Sequence, residues 1–119
     1  MGTSPPEIAR HYAHMNIVTS AMPRVIYLLH ERCLLLIQKS LHSEQPQRQY
    51  LDKAQNIIVE LERALKIEDS IAESMFYLYD YCYVRLDSMD SSEHEHALAI
   101  MKDLRNTFYS LLNPLAAMI

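Results

Sequence analysis

Glycine is almost missing from this chain. Gly2 is the only one in 119 residues, against an average usage of roughly 7%, so backbone positions with φ > 0 are nearly unavailable. Tight hairpins, phosphate-binding loops and dinucleotide fingerprints all depend on such positions. Most β-rich folds and most nucleotide-dependent enzymes are thereby excluded. Positive charge is also short: 11 Lys and Arg face 15 Asp and Glu, for a net charge of −4, which removes the basic footprint expected of a nucleic-acid binder. Cysteine is sparse, and Cys33 and Cys82 lie far apart without the paired spacing of a zinc or redox motif. No charged-then-apolar leader precedes them, and a reducing, cytoplasmic compartment is the expectation. Long hydrophobic runs are missing too, because Val25 to Ile37 is interrupted by His30, Glu31 and Arg32. It falls short of the roughly 18 continuous apolar residues of a membrane-spanning helix, so no membrane insertion is expected.

What remains is a chain that should fold: half its residues are apolar and 22% are charged, the balance of an ordinary globular domain. Prolines punctuate it at Pro5, Pro6, Pro23, Pro46 and Pro114, and no alternating strand pattern persists between them. A first helix is predicted from Pro23 to Leu41, apolar in nearly every direction and therefore covered on more than one side. A second runs from about Gln47 to Lys66, with Tyr50, Leu51, Ala54, Ile57, Ile58, Leu61 and Leu65 on one face. The third and fourth open with capping boxes, Ser70 with Glu73 and Ser92 with Glu95. They extend to about Ser88 and Asn113, and the fourth is expected to bury Ala97, Ile100, Met101, Leu104, Phe108 and Leu111. Four helices of about 20 residues with short connections predict an all-α, antiparallel up-down four-helix bundle. Residues 1–18, with Ile8, Tyr12 and Met15 at helical spacing, are expected to form a short leader that packs on the bundle of residues 19–119.

Chemistry-bearing side chains are few. Glu93 and His96 make one Glu-x-x-His step, whereas a carboxylate-bridged di-metal bundle requires two on facing helices. The run from Glu93 to His96 reads instead as a solvated first turn in which carboxylates favour the helix dipole, and no metal or cofactor is expected. His11 and His14 lie in the leader. His30 interrupts an apolar helix and reads as a partly buried, hydrogen-bonded residue. Cys33 and Cys82 read as inert core thiols, and no nucleophile, base and oxyanion hole assemble into a catalytic site.

The third helix carries more apolar surface than a bundle core requires. Ile71, Met75, Leu78 and Cys82, widened by Ala72, Phe76, Tyr79, Tyr83 and Leu86, already make its core arc. Tyr77, Tyr81 and Val84 then recur at i, i+4 and i+7 on the other side, forming a second stripe suited to a half-wet binding surface.

Two segments carry a family resemblance. LDKAQNIIVEL, from Leu51 to Leu61, resembles the K-A-Q-x-I-I-x-E-L run in the second helix of the FliS-type flagellin export chaperones. LYDYCYVRL, from Leu78 to Leu86, is similar to their third-helix signature L-Y-D-Y-M-x-R-R-L. The chain departs from the family pattern at His30, Glu31, Arg32 and Cys33, and at Val84, which leaves Arg85 as the matching arginine. The resemblance implies a non-enzymatic cytoplasmic chaperone, monomeric or weakly dimeric. Its partners would be the disordered C-terminal part of flagellin, which it keeps from premature polymerisation, and a membrane protein of the flagellar type III export gate. Flagellin contacts are expected at Ile57, Ile58, Leu61, Tyr77, Tyr81, Val84 and Arg85. By the same resemblance the leader, with Ile8, Tyr12 and Met15, caps an apolar groove, and Tyr12 takes part in docking at the gate. The competing expectations are a purely structural helical homodimer sealed through the Tyr77, Tyr81 and Val84 stripe, and a carboxylate-bridged metal-binding bundle.

Overall fold

A computed structural model describes residues 23–65 and 70–112. The expectations for Ile8, Tyr12, Met15 and the rest of the leader, and for the tail beyond Leu112, lie outside the described residues, as do the side chains of Ile71, Phe108 and Leu111. The described chain forms four helices, α1 (Pro23–Leu41), α2 (Arg48–Ala64), α3 (Ser70–Asp87) and α4 (Ser91–Leu112), and no strand among the described residues. Each helix neighbours the next, and α4 closes the ring on α1. Short connections and cross-links between opposite ends make successive helices antiparallel. Arg48 at the start of α2 donates to the Leu86 carbonyl at the end of α3, and Arg85 late in α3 pairs with Glu93 at the start of α4.

The interior follows a strict seam. The side chains at its centre are Ile26, His30, Cys33, Ile37 and Ser40 on α1, and Leu51, Ala54, Ile58, Leu61 and Leu65 at and just beyond α2. Ala72, Met75, Tyr79, Cys82 and Leu86 supply α3, and His94, Ala97, Met101 and Leu104 supply α4. Along every helix these positions alternate steps of three and four residues, the a/d spacing of helices packed with shallow crossing. Small residues meet across two of the helix pairs. Cys33 donates its thiol to the Ala54 carbonyl at 3.6 Å, and Cys82 does the same to Ala97 at 3.7 Å, so the α1–α2 and α3–α4 pairs repeat one contact. Burial pushes the Cys82 thiol up to about 12 and raises Cys33 further, which keeps both protonated.

Helix boundaries follow local chemistry. Pro23 opens α1, where its missing N–H costs nothing. The buried Ser40 hydroxyl accepts the Gln47 N–H at 2.9 Å and sets the start of α2. At α4 the expected cap is displaced: Asp90, not Ser92, closes the helix, its Oδ1 accepting from both the N–H and the hydroxyl of Ser92 at 2.9 and 2.8 Å. Those bonds hold its carboxyl below the usual range. A carboxylate placed before the first turn accepts amide hydrogens more strongly than a hydroxyl, and Glu95 remains exposed.

Candidate functional site

A groove of about 640 Å³ runs between α3 and α4. Tyr77, Leu78 and Tyr81 from α3 and Ile100 from α4 supply its apolar surface, and Ser70, Glu73 and Ser74 line one end. The helical phase of α3 makes it: Tyr79, at the seam, is 1% exposed, while Tyr77 and Tyr81 on either side are 62% and 40% exposed. Leu78, expected between helices, is only partly buried and lies along this groove. The seam passes through 75, 79 and 82, which rotates position 78 to the flank of the core.

Arg85 lies outside the groove lining and bears on it through Tyr81. Its guanidinium lies 4.8 Å from the centre of the Tyr81 ring, and its Nε pairs with Glu93 Oε2 on α4 at 3.1 Å. Both partners of that pair are about one-third exposed, so its contribution to stability is below about 1 kcal/mol. Its effect is positional, since cation, ring and carboxylate together hold Tyr81 over the α3–α4 boundary. Tyr77 is steadied by its hydroxyl, which donates to Glu73 Oε1 at 3.5 Å. Val84 is 47% exposed on the same helix but does not line the groove.

The second-helix residues expected in the site are placed elsewhere. Ile58 and Leu61 are buried in the seam and have no surface to offer a partner, and Ile57 is partly buried against the core, away from the groove. The adjacent polar positions of α2 are also structural. Gln55 is buried and donates to the Tyr83 carbonyl at 3.1 Å, while Arg48 bonds Asp52, Gln55 and the Leu86 carbonyl. Arg48 thereby occupies one of the free carbonyls at the end of α3, that of Leu86. Glu62 lies at the α2–α3 boundary, where burial and then the Asp80 charge raise its pKa.

Two histidines are deeper than expected. His30 is fully buried, and its Nδ1 donates to the Ile26 carbonyl at 2.7 Å. Burial lowers its pKa to about 4, so the ring is neutral and Nε2 accepts from the Tyr79 hydroxyl at 3.0 Å. The departure at position 30 therefore pairs with a tyrosine of the α3 signature. His94, read as part of a solvated turn, is also buried: its Nε2 donates to the Ser88 carbonyl at 2.6 Å, under the α3–α4 turn. The fourth seam needs a residue at 94, and the adjacent carbonyl makes a histidine tolerable there. No three His, Cys, Asp or Glu side chains come together as a metal site among the described residues.

One surface escaped the sequence reading. The outer face of α1, expected to be covered, leaves Val25, Leu28 and Leu35 each nearly half exposed among the described residues. No described helix is long and apolar enough to cross a membrane.

The family model described as "Flagellar protein FliS" matches residues 6–113, nearly the whole chain. No curated protein and no solved structure gives a match.

Proposed function

Because the chain belongs to the FliS family of flagellar export chaperones, we propose that it binds the disordered C-terminal segment of flagellin in the cytoplasm. It keeps the subunit from polymerising and delivers it to the type III export gate. The observation that carries this reading is the α3–α4 groove, where Tyr77 and Tyr81 stand exposed over Leu78 and Ile100. An aromatic-walled apolar groove suits an amphipathic client segment, whose side chains bury against the rings while the tyrosine hydroxyls stay wet. Val84, exposed on α3 beyond the groove, offers a further contact, whereas Ile57 lies on α2 away from it. Ile58 and Leu61 act only by shaping α2 from inside.

The test is titration with the C-terminal segment of flagellin from the same organism. Tyr81→Ala should weaken binding by 2 kcal/mol or more, about thirtyfold, as loss of an aromatic anchor does, with the fold intact by circular dichroism. Unchanged affinity in that variant would remove the groove as the client site, and a stable dimer sealed through Tyr77 and Tyr81 that ignores flagellin would remove the chaperone reading.

The leader completes the proposal. Residues 1–18, through Ile8, Tyr12 and Met15, compete with client for the groove, and Tyr12 engages the export gate. Deleting Met1 to Val18 should tighten binding of the isolated flagellin segment while lowering export. Weaker binding after deletion would show that the leader contributes contacts to the client.

A further inference from the structure

The outer face of α1 differs from the rest of the molecule in charge as well as polarity. Over a net charge of −4, α1 carries Arg24, Arg32 and Lys39 against a single carboxylate, Glu31. Glu31 is spoken for, since Arg105 of α4 bonds it at 3.0 Å. Around Val25, Leu28 and Leu35, which are 47%, 48% and 49% exposed, the uncompensated charge is therefore positive, with His42 at the C-terminal edge. The surface is concave: a depression of about 670 Å³ is lined by Leu28, Glu31, Arg32, Leu35, Leu36 and Lys39, with Glu31 held by Arg105 and with Arg24 and Val25 on the same helix beyond its rim.

We propose that this face is a second docking surface, which takes an acidic amphipathic helix of a partner protein, its apolar ridge seated on Leu28 and Leu35 and its carboxylates on Arg24, Arg32 and Lys39. Concavity favours a helix ridge over a membrane surface, which cannot fill a depression. Charge favours another molecule over the flanking segments 1–22 and 113–119. Residues 1–22 carry Glu7 and Arg10 as their charged side chains, and residues 113–119 carry none, so neither supplies the negative complement. The face lies on α1, apart from the α3–α4 groove, and the inference stands independently of the flagellin reading.

The test uses the full chain and a labelled, stapled helical peptide of roughly 18 residues, about five turns, with a leucine stripe flanked by glutamates. Its binding should weaken about tenfold or more in Leu28→Gln/Leu35→Gln, and by a similar factor in Arg24→Glu/Arg32→Glu, with both variants folded by circular dichroism. A matched peptide with lysine for glutamate should bind at least about tenfold more weakly. Failure of the glutamate peptide to bind, or equal binding of the lysine peptide, overturns the proposal. So do binding to anionic vesicles abolished by the same variants, binding that requires prior removal of residues 1–22, and self-association abolished by Leu28→Gln/Leu35→Gln. Displacement of the peptide by the flagellin segment would merge this face with the client site and also defeat it, whereas loss of flagellin binding alone would leave it standing.

Discussion

Tyr79 and Tyr81 stand two residues apart on α3 and belong to different parts of the molecule. Tyr79 points inward, donates its hydroxyl to His30 and is 1% exposed; Tyr81 faces the α3–α4 groove at 40% exposure, under a guanidinium. One residue type thus serves as a core element that must satisfy its polar atom inside the protein and as a surface element that can leave its own in water. A 200° turn between the two positions is what two residues of helix supply, so the contrast rests on phase alone.

The largest expected effect breaks the inner half of this contrast. Tyr79→Ala removes a buried ring and strips His30 Nε2 of the Tyr79 hydroxyl, and should cost about 3 to 5 kcal/mol in urea denaturation. A cost below about 1 kcal/mol would mean the seam has been placed on the wrong face.

Acid probes the same pair. His30 titrates at 6.5 when unfolded and at about 4 when buried, so between those values the unfolded chain binds the extra proton. Its contribution to stability is complete above pH 6.5 and is lost as pH falls toward 4, amounting to about 3 kcal/mol over the window. Carboxylates such as Asp90 also respond to acid, and the comparison is therefore between wild type and His30→Gln. The variant should show a shallower loss of stability between pH 6.5 and 4, and an identical slope would show that His30 does not titrate with unfolding.

The smallest effects sharpen the outer half. Leu78→Ala should cost only about 1 to 2 kcal/mol, less than a fully enclosed leucine, because the groove leaves part of its surface open. Tyr81→Ala should stay within about 0.5 kcal/mol in stability and report in flagellin titration instead. Equal destabilisation by the two would erase the distinction between flank and surface.

The four helices and their order were legible because apolar periodicity, a helix-opening proline and the lack of glycine all point to the same fold. The exposed stripe of Tyr77, Tyr81 and Val84 was legible for the same reason: helical phase places those residues whatever their neighbours are. The error at Ile58 and Leu61 is instructive. Ile57, Ile58 and Leu61 share an apolar face in any helical wheel, and only the position of α1 and α3 decides which of them is enclosed. The Asp90 cap was missed because Asp90 and Ser92 both fit a cap by residue type, and the choice depends on where the turn from α3 releases the chain.

By itself the sequence determined the helices, their phase and the family, because these are set by local propensity and by spacing along one chain. Which polar residues are structural was decided by tertiary packing. Gln55 and Arg48 have value only against the carbonyls at the end of α3, His30 only against Tyr79, and Arg85 only between Tyr81 and Glu93. The open outer face of α1 was decided the same way. An apolar side chain becomes a core residue or a docking surface according to whether a neighbouring helix reaches it, and a helix of given phase carries no record of where its neighbours stop.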